Sequence, residues 1–377
     1  METVKNLADA CMEQMKGYPV VTGKDKLKRI VKQTILRQKL APVDAFSWPN
    51  AMLAEGLLSA YETTKETRYL YAVTDYLNRW KSAGFPIHYV DNIMNGAIAL
   101  WIEELISAVP GNEISSKQRQ ELLQLCESCA DVCARWLKNA AKTDQGILPY
   151  RSQHPDWLFA DTLGMVCPFL CRYGAKNGDK TLLNLGVGQL QLFLKRGMDQ
   201  KSGLPYHGYE EKTGLKLGII GWGRACGWLL KGLTESLRWI PTEKPEYRAL
   251  KAACDRLIQA IGAYQRPDGG FSWQMQAMEG HIDTSAEGMI GSALVKTASD
   301  RNGRIDDGSG DAFGVDLGSL GSAVLKSVQG RNVVDCSGEC RGFAEYPQIY
   351  GSYPWGTGSV LRFLCYENCA VTKADPQ

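Results

Sequence analysis

The sequence predicts a mostly α-helical protein whose helical hairpins close into a ring. Apolar residues recur at i, i+3, i+4 and i+7 through five long segments, which is the pattern of an amphipathic helix. Alternating runs of β-branched residues, which are typical of strands, are weak throughout the chain. The five predicted helices cover residues 50–64, 95–109, 118–140, 182–198 and 247–265.

A loop motif repeats between these helices. The segments TDQGILPYR (143–151), DQKSGLPYHG (199–208) and RPDGGFSWQ (266–274) share an acidic residue, a glycine and a following aromatic residue. The spacing is about sixty residues, the length of one helical hairpin with its loops. Hairpins that repeat and close on themselves form an α/α toroid whose central cavity is lined by the loops. The alternative is an open helical array with loops of similar composition.

Length and composition indicate one globular domain over residues 1–377, with 44% hydrophobic and 22% charged residues. A formal net charge of +2 is too small to favour binding to nucleic acid. Neither a signal peptide nor an apolar run of about 18 residues is visible, so we expect a cytoplasmic protein without a membrane partner. A monomer or weak homodimer is expected. The basic segment 24–33 predicts a solvated helix face, and the Gly- and Asp-rich segment 299–323 predicts a long loop.

Twelve cysteines raise the question of a metal site. Cys126, Cys129 and Cys133 share one helix face, but paired Cys-x-x-Cys knuckles and histidines at metal spacing are absent. We therefore predict buried thiols that act as small hydrophobic side chains, with a zinc site as the alternative. A calcium loop at DDGSGD (306–311) is excluded because the required downstream Glu is missing.

Aromatic residues in the loops indicate a carbohydrate ligand. Core packing is the alternative for each of them alone. Aromatic rings with polar neighbours that converge on one cavity are also how proteins stack on a sugar and bind its hydroxyl groups. We therefore predict a small oligosaccharide as the partner. The aromatic residues are Trp48, Trp157, Trp222, Trp228, Trp273, Tyr206, Tyr353 and Trp355.

Charged residues beside these aromatics are candidates for chemistry. In GIIGWGRACGWLL (218–230), Arg224 lies between Trp222 and Trp228, where a guanidinium can clamp a carboxylate with two parallel hydrogen bonds. Pairing of this arginine with a neighbouring acid is the alternative. Asp161 precedes an apolar run in which a charge is expensive to bury. Asp91 opens another apolar helix, where a helix cap is the alternative.

Taken together, these segments resemble the unsaturated uronyl hydrolases of glycoside hydrolase families 88 and 105. Some positions depart from the family pattern: Asp283 stands where Glu is usual, Ala225-Cys226 replaces a commoner pair, and Glu210 replaces Asp. Residues 300–345 are the least similar. The matching blocks are YVDNIMNGAIAL, DWLFADTLGMVCPFL, GLPYHGYEE, GWGRACGWLLKGL, DGGFSWQM with HIDTSAEGMIGSALVK, and YGSYPWGTGSVLRFL, in that order.

The resemblance implies an (α/α)6 barrel with no metal or organic cofactor. It also implies a reaction on polysaccharide lyase products, which carry a C4=C5 double bond in the sugar acid at the non-reducing end. Family enzymes protonate C4 and add water at C5. By position, Asp161 would be the acid/base and Asp91 the second carboxylate. The residues predicted to bind the substrate are His207, Arg224, Trp222, Trp228, Trp157, Asn92 and Trp48.

Physical chemistry agrees with the assignment of Asp161. Protonating a carbon requires a carboxylic acid that still holds its proton near neutral pH, and removal from water favours that neutral form. We therefore expect apolar, aromatic surroundings for Asp161. The predicted substrate is an unsaturated galacturonyl-rhamnose disaccharide from pectin. The alternatives are an inverting glycosidase, a sugar epimerase, or a barrel that binds carbohydrate without catalysis.

Overall fold

The computed structural model describes residues 1–19, 23–35, 37, 43–108, 114–300, 311–312, 314–340, 345–346 and 348–374. Within them lie thirteen α-helices, numbered in chain order. Six form an inner ring: α3 (Trp48–Thr64), α5 (Met94–Ala108), α7 (Ala160–Lys176), α9 (Gly223–Leu237), α11 (Thr284–Asp300) and α13 (Pro354–Ala374). Six lie outside them: α1 (Glu2–Gly17), α4 (Thr67–Ser82), α6 (Ser116–Asn139), α8 (Lys180–Arg196), α10 (Pro245–Gly262) and α12 (Leu317–Lys326).

The inner helices close into a ring. Each packs against the next one along the chain, from α3 on α5 to α11 on α13, and α13 returns to pack on α3. The outer helices α4, α6, α8, α10 and α12 each pack on an inner helix, and α1 covers the seam between α3 and α13. The predicted (α/α)6 barrel is therefore confirmed, and the open helical array is wrong.

The place of a helix in the barrel follows from its apolar pattern. Helix α3 is buried on every side from Trp48 to Tyr61, as expected for a helix that is hydrophobic around its whole circumference. Helix α4 buries a single stripe that includes Tyr69, Tyr76 and Trp80 and leaves the opposite face in water. One apolar stripe suits a helix that covers a core, whereas an apolar circumference requires the interior.

Glycines set the helix spacing at the seam where the ring closes. A Cβ on Gly56 would lie 2.8 Å from the carbonyl oxygen of Gly358, and a Cβ on Gly358 would lie 2.4 Å from that of Met52. Real Cβ atoms do not approach a backbone so closely. A side chain at either glycine would push α3 and α13 apart, because a packed interior has no free volume to absorb it.

Four buried charges link three inner helices inside the ring. Glu55 of α3 accepts from Lys231 of α9 at 2.8 Å and from Arg362 of α13 at 2.9 Å. Glu235 of α9 binds Arg362 at 2.6 Å and lies 3.8 Å from Lys231. Burial acts to raise the pKa of Glu235, yet the charges of Lys231 and Arg362 lower it overall. The two acids and two bases thus compensate one another away from water.

Short strands lie between the helices. The three-stranded antiparallel sheet has the order β1 (Trp157–Phe159), β2 (Tyr206–Glu210) and β3 (Lys216–Ile220). A 3-10 helix (Val90–Ile93) precedes α5. The two-residue strands are β4 (Asp311–Ala312), β5 (Val315–Asp316), β6 (Val328–Gln329), β7 (Asn332–Val333), β8 (Cys336–Ser337) and β9 (Tyr350–Gly351).

Each repeated loop makes the same turn. The shared glycines have positive φ, +88° at Gly146, +73° at Gly203 and +90° at Gly269, a backbone region that favours glycine. Each of these glycine amides donates to the carbonyl three or four residues earlier. Every loop joins an outer helix to the side of the barrel where the next inner helix begins, so the predicted repeat is confirmed.

Three further predictions can be compared with the fold. Helix α2 (Gly23–Thr34) is exposed and confirms the solvated helix, whereas the loop predicted for 299–323 is wrong because α12 begins at Leu317. Residues 301–310, with most of the excluded calcium loop, lie outside the described residues. Cys126, Cys129 and Cys133 are buried thiols, as predicted.

Among the described residues, none of the helices combines the length and the apolar character that crossing a bilayer requires. The cytoplasmic location and the monomer or weak homodimer stay predictions.

Replacing Glu55 by Gln tests the buried charges. The variant leaves Lys231 and Arg362 with one carboxylate between them, so we expect the free energy of unfolding to fall by about 3–5 kcal/mol. Urea unfolding measures it. The matched control is Glu121→Gln, in an exposed pair with a 4.0 Å separation, for which we expect less than about 1 kcal/mol. Equal effects of the two substitutions would contradict a role for the network.

Candidate functional site

The ends of the inner helices surround a cavity of about 230 Å³. Trp48 begins α3, Asp161 lies in the first turn of α7, and Arg224 lies in the first turn of α9. The cavity therefore lies at the end of the barrel where these inner helices begin. Its lining residues are Trp48, Tyr150, Arg151, His154, Trp157, Phe159, Asp161, His207, Trp222, Arg224, Trp228, Glu339 and Cys340.

Aromatic rings form much of the cavity wall. Trp48 meets Trp228 edge to face with a centroid distance of 6.1 Å, and Trp355 packs behind Trp48 at 4.9 Å. Trp157 stacks on His154 at 3.7 Å with the planes only 6° apart. Rigid, flat and partly polar walls of this kind suit the faces of a sugar ring.

Strand pairing brings Asp161 to His207 across the sheet. Phe159, the last residue of β1, pairs with Gly208 of β2. This pairing places His207, which precedes Gly208, beside the start of α7. Asp161 Oδ2 then lies 3.1 Å from His207 Nε2. Its side chain is 15% exposed and hydrogen-bonded, so the aromatic surroundings expected for it are present but are not purely apolar.

The other ring nitrogen of His207 contacts a buried tyrosine. His207 Nδ1 lies 2.8 Å from Tyr346 Oη, and the Ile219 amide donates to that oxygen at 3.4 Å. Burial raises the pKa of Tyr346, so the phenol keeps its hydrogen and can donate it to Nδ1. The pattern then assigns the ring hydrogen of His207 to Nε2, which donates to Asp161. His207 is only 1% exposed, so it positions the carboxylate more than it contacts a ligand.

Arg224 lines the cavity but its guanidinium is already occupied. Nη1 donates to the Ser337 carbonyl at 2.8 Å and Nη2 donates to the Gly338 carbonyl at 2.7 Å. Asp283 lies 3.6 Å from Nη1 and accepts from the Ser337 hydroxyl at 2.6 Å. The alternative that pairs this arginine with a neighbouring acid fits better than the predicted carboxylate clamp. Arg224 and Asp283 together hold residues 337–338 against the barrel.

Asp91 and Asn92 do not line the cavity. Asn92 is fully buried, donates to Asp44 and Phe46, and accepts from the His88 and Tyr89 amides. Its amide is therefore fully used in holding the loop, and a role for Asn92 in substrate binding stays a prediction that these contacts do not support.

Asp91 lies within the 3-10 helix and is 3% exposed, and its carboxylate accepts hydrogen bonds from its own amide and from the amide of Trp48 at the start of α3. Its Oδ1 has no hydrogen-bond partner among the described residues. Burial raises the pKa of Asp91 to about 6, and the nearby charge of Arg151 acts in the opposite direction.

Arg151 is one of the cavity residues that the sequence analysis missed. Its guanidinium lies over the rings of Tyr89 and Tyr150, at 3.9 Å and 4.1 Å from their centroids. Nη1 is buried and has no hydrogen-bond partner among the described residues. A guanidinium with a buried nitrogen that still lacks a hydrogen-bond partner can bind a carboxylate. The sequence feature that could have identified Arg151 is its position at the end of a repeated loop, directly after the aromatic residue.

Seven of the nine predicted site residues line the cavity, and Asp91 and Asn92 lie behind it. Besides Arg151, the structure adds an exposed carboxylate, Glu339, and the thiol of Cys340. No group of three or more His, Cys, Asp or Glu residues within the described part of the chain is arranged to hold a metal ion.

The family model of Glycosyl Hydrolase Family 88 matches residues 25–305, about three quarters of the chain. The chain belongs to this family. The resemblance to families 88 and 105 is thereby confirmed, and this family 88 member is a glycoside hydrolase, not an epimerase. The roles of its two predicted carboxylates, Asp161 and Asp91, stay predictions.

Known relatives match this family 88 chain over most of its length. Unsaturated rhamnogalacturonyl hydrolase YesR of Bacillus subtilis (strain 168) is 24% identical over 350 residues, covering 90% of this chain and 92% of YesR. A possible family 105 member from Salmonella enterica serovar Paratyphi A superimposes with a TM-score of 0.75 at 16% identity, covering 97% of this chain and 93% of that one. An unsaturated glucuronyl hydrolase specific for heparin has a TM-score of 0.70 at 13% identity, covering 99% and 97%. These structures share the barrel.

Replacing Asp91 by Asn tests its burial. The folded enzyme holds a proton on Asp91 up to about pH 6, whereas the unfolded chain loses it near the ordinary value of 3.8. Wild-type stability is therefore lost, relative to the variant, as pH rises from about 4 to about 6. We expect the variant to gain on the order of 1–3 kcal/mol over this interval. Urea unfolding of both proteins at pH 4, 5, 6 and 7 measures the difference, and a constant difference would contradict the assignment.

Proposed function

We propose that the enzyme releases a 4,5-unsaturated uronic acid from lyase-generated oligosaccharides, with unsaturated galacturonyl-rhamnose from pectin as its substrate. The main support is an aromatic-walled cavity lined by a positioned carboxyl group, Asp161, and by Arg151, whose Nη1 has no hydrogen-bond partner among the described residues. Such a cavity offers a proton to the substrate and a partner to its carboxylate. The name of YesR, an unsaturated rhamnogalacturonyl hydrolase, supports the same substrate class.

The reaction adds water to an enol ether. The Asp161 carboxylic acid gives its proton to C4, the C4=C5 electron pair forms the new C–H bond, and the ring oxygen shares the positive charge left at C5. Water adds at C5 and returns a proton to Asp161, which restores the acid. The hemiketal at C5 opens to a ketone, and the hemiacetal this leaves at C1 expels the neighbouring sugar.

Neighbouring residues support the acid in different ways. His207 Nε2 binds Asp161 Oδ2, so Oδ1 is the oxygen that carries the transferred proton. Asp91 lies behind the cavity within range of the Arg151 charge. We therefore assign Asp91 as a positioning residue that orients Arg151, and not as a group that contacts the reacting carbons.

The charge at the cavity favours a neutral leaving sugar. Glu339 is exposed and lines the cavity, and its charge reaches the phenols of Tyr18 and Tyr150, whose pKa values are raised first by burial and further by that charge. Rhamnose hydroxyl groups can donate to this carboxylate, whereas the sulfate groups of heparin-like products would be repelled. A sulfated glucuronyl substrate, suggested by the heparin-specific structural relative, is the second candidate.

Asp161→Asn tests the acid. The variant cannot donate the proton, so we expect kcat to fall by about 10²–10⁴-fold with the fold and ligand binding intact. Loss of the double-bond absorbance measures turnover on unsaturated disaccharides that differ only in a neutral or a sulfated leaving sugar. The control is Asp156→Asn, a nearby carboxylate that pairs with Lys212 at 3.7 Å outside the cavity. Turnover of no uronyl substrate by the wild type would refute the proposed function.

Arg151→Gln tests which arginine binds the carboxylate. We expect kcat/KM of the wild type to be higher for the free uronate than for its methyl ester. In the variant, we expect this ratio of kcat/KM values to be smaller by about tenfold to a hundredfold. Arg224→Gln is the comparison, and we expect it to lower thermal stability because it breaks the buried contacts to residues 337–338. A folded Arg224 variant that alone loses the preference would make Arg224 the clamp instead.

A further inference from the structure

A chain of hydrogen bonds joins the candidate acid to a tyrosine from a distant segment. Asp161 Oδ2 lies 3.1 Å from His207 Nε2, and His207 Nδ1 lies 2.8 Å from Tyr346 Oη. Tyr346 lies between β8 and β9, and 139 residues separate it from His207 in the sequence. In this chain of bonds the imidazole ring is the link between the tyrosine hydroxyl group and the carboxyl group.

Packing holds the His207 ring in place independently of that hydroxyl group. The Phe159 ring meets it edge to face with a centroid distance of 5.5 Å, and the Trp222 ring packs on it at 4.3 Å. Strand β2, which carries His207, is paired with β1 on one side and β3 on the other. The orientation of the ring therefore follows from packing, whereas the nitrogen that carries the ring hydrogen is decided by the hydrogen-bond partners.

The two tautomers of His207 would act on Asp161 in opposite ways. With the hydrogen on Nε2, the ring donates to Oδ2 and stabilises the negative charge that Asp161 acquires when its proton leaves for the substrate. With the hydrogen on Nδ1, Nε2 carries a lone pair and can only accept, so the ring favours a carboxyl group that keeps its proton. Proton transfer to the substrate is therefore faster with the first tautomer.

The contacts of Tyr346 favour the first tautomer. The Ile219 amide donates to Tyr346 Oη at 3.4 Å, so the oxygen already accepts one hydrogen bond and its own hydrogen is available for His207 Nδ1. A phenol that donates to Nδ1 leaves no place for a hydrogen on that nitrogen. The ring hydrogen then lies on Nε2, the nitrogen that faces Asp161.

We infer that Tyr346 is a positioning residue whose hydroxyl group keeps the ring hydrogen of His207 on Nε2, where it stabilises Asp161 as the acid gives up its proton. The effect on turnover rests on the proposed function, whereas the tautomer itself can be observed without a substrate. Tyr346 acts through the imidazole and needs no contact with the sugar. Its hydroxyl group sets the place of one hydrogen, and the surrounding rings set the place of the imidazole.

Tyr346→Phe removes the hydroxyl group and keeps the ring, which packs on Trp222 and Trp273 at centroid distances of 5.7 Å and 6.3 Å. We expect kcat to fall by about tenfold with KM unchanged. Activity should also persist to higher pH, because the second tautomer favours the protonated acid. The matched control is Tyr209→Phe in the same strand as His207, whose hydroxyl group has no hydrogen-bond partner among the described residues. We expect this control to change neither property, and an unaltered kcat and pH profile in Tyr346→Phe would overturn the inference.

A double-mutant cycle tests whether the tyrosine acts through the imidazole. In a His207→Gln background the ring hydrogen no longer exists, so we expect Tyr346→Phe to change kcat by less than about twofold. In the wild-type background the same substitution should have its full effect. Equal losses of kcat in the two backgrounds would show that Tyr346 acts independently of His207 and would count against the inference.

Nitrogen NMR of the enzyme labelled in its four histidines reads the tautomer without a substrate. The signals of His207 are those that disappear in His207→Gln. We expect the hydrogen on Nε2 in the wild type and a larger population with the hydrogen on Nδ1 in Tyr346→Phe. A hydrogen on Nδ1 in the wild type, or the same tautomer in both proteins, would overturn the inference. If the expected tautomers are observed but no uronyl substrate is turned over, the proposed function fails and the assignment of Tyr346 to the His207 hydrogen is supported.

Discussion

The barrel depends on the four charges that meet inside its ring. Taking an ion out of water costs several kcal/mol even after relaxation, and only close, well-aligned partners offset that cost. Glu55, Arg362 and the Lys231–Glu235 pair come from three different inner helices. Apolar packing tolerates small shifts of one helix along another. These ion pairs, in contrast, form at only one relative position of α3, α9 and α13 along the barrel axis. The glycine seam between α3 and α13 fixes the remaining spacing.

The relative position of the helices along the barrel axis matters because the candidate site lies at their N-terminal ends. Trp48, Asp161 and Arg224 each stand in the first turn of a different inner helix, so a slip of one helix would separate them. The repeated glycine turns then return the chain from each outer helix to the same side. Arg151 and His207 lie at the ends of two such turns and reach the same cavity. Helix register and loop geometry together therefore assemble the site.

Local patterns in the sequence were sufficient for the helices, the repeat and the cavity aromatics. Helical periodicity and turn glycines are properties of neighbouring residues, and the resemblance to the family's sequence blocks singled out Asp161. Pairings between distant residues could not be read in this way. The strand Trp157–Phe159 is too short to be recognised from its own sequence, and it is defined by its pairing with residues 206–210. The hydrogen bonds of Arg224 and Asn92 could not be read for the same reason, because their partners lie 113 and 48 residues away.

The attachment of residues 337–338 separates two properties of the enzyme. The Ser337 hydroxyl lies between Arg224 and Asp283, which anchor it to the ring, and Glu339 follows two residues later at the surface. Asp161 is held by β2 and α7, which are different elements. In the proposed reaction, a substitution at residue 339 would therefore alter the charge presented to the departing sugar while Asp161 keeps its position. The preference for a leaving sugar and the position of the carboxyl group would then vary independently of each other.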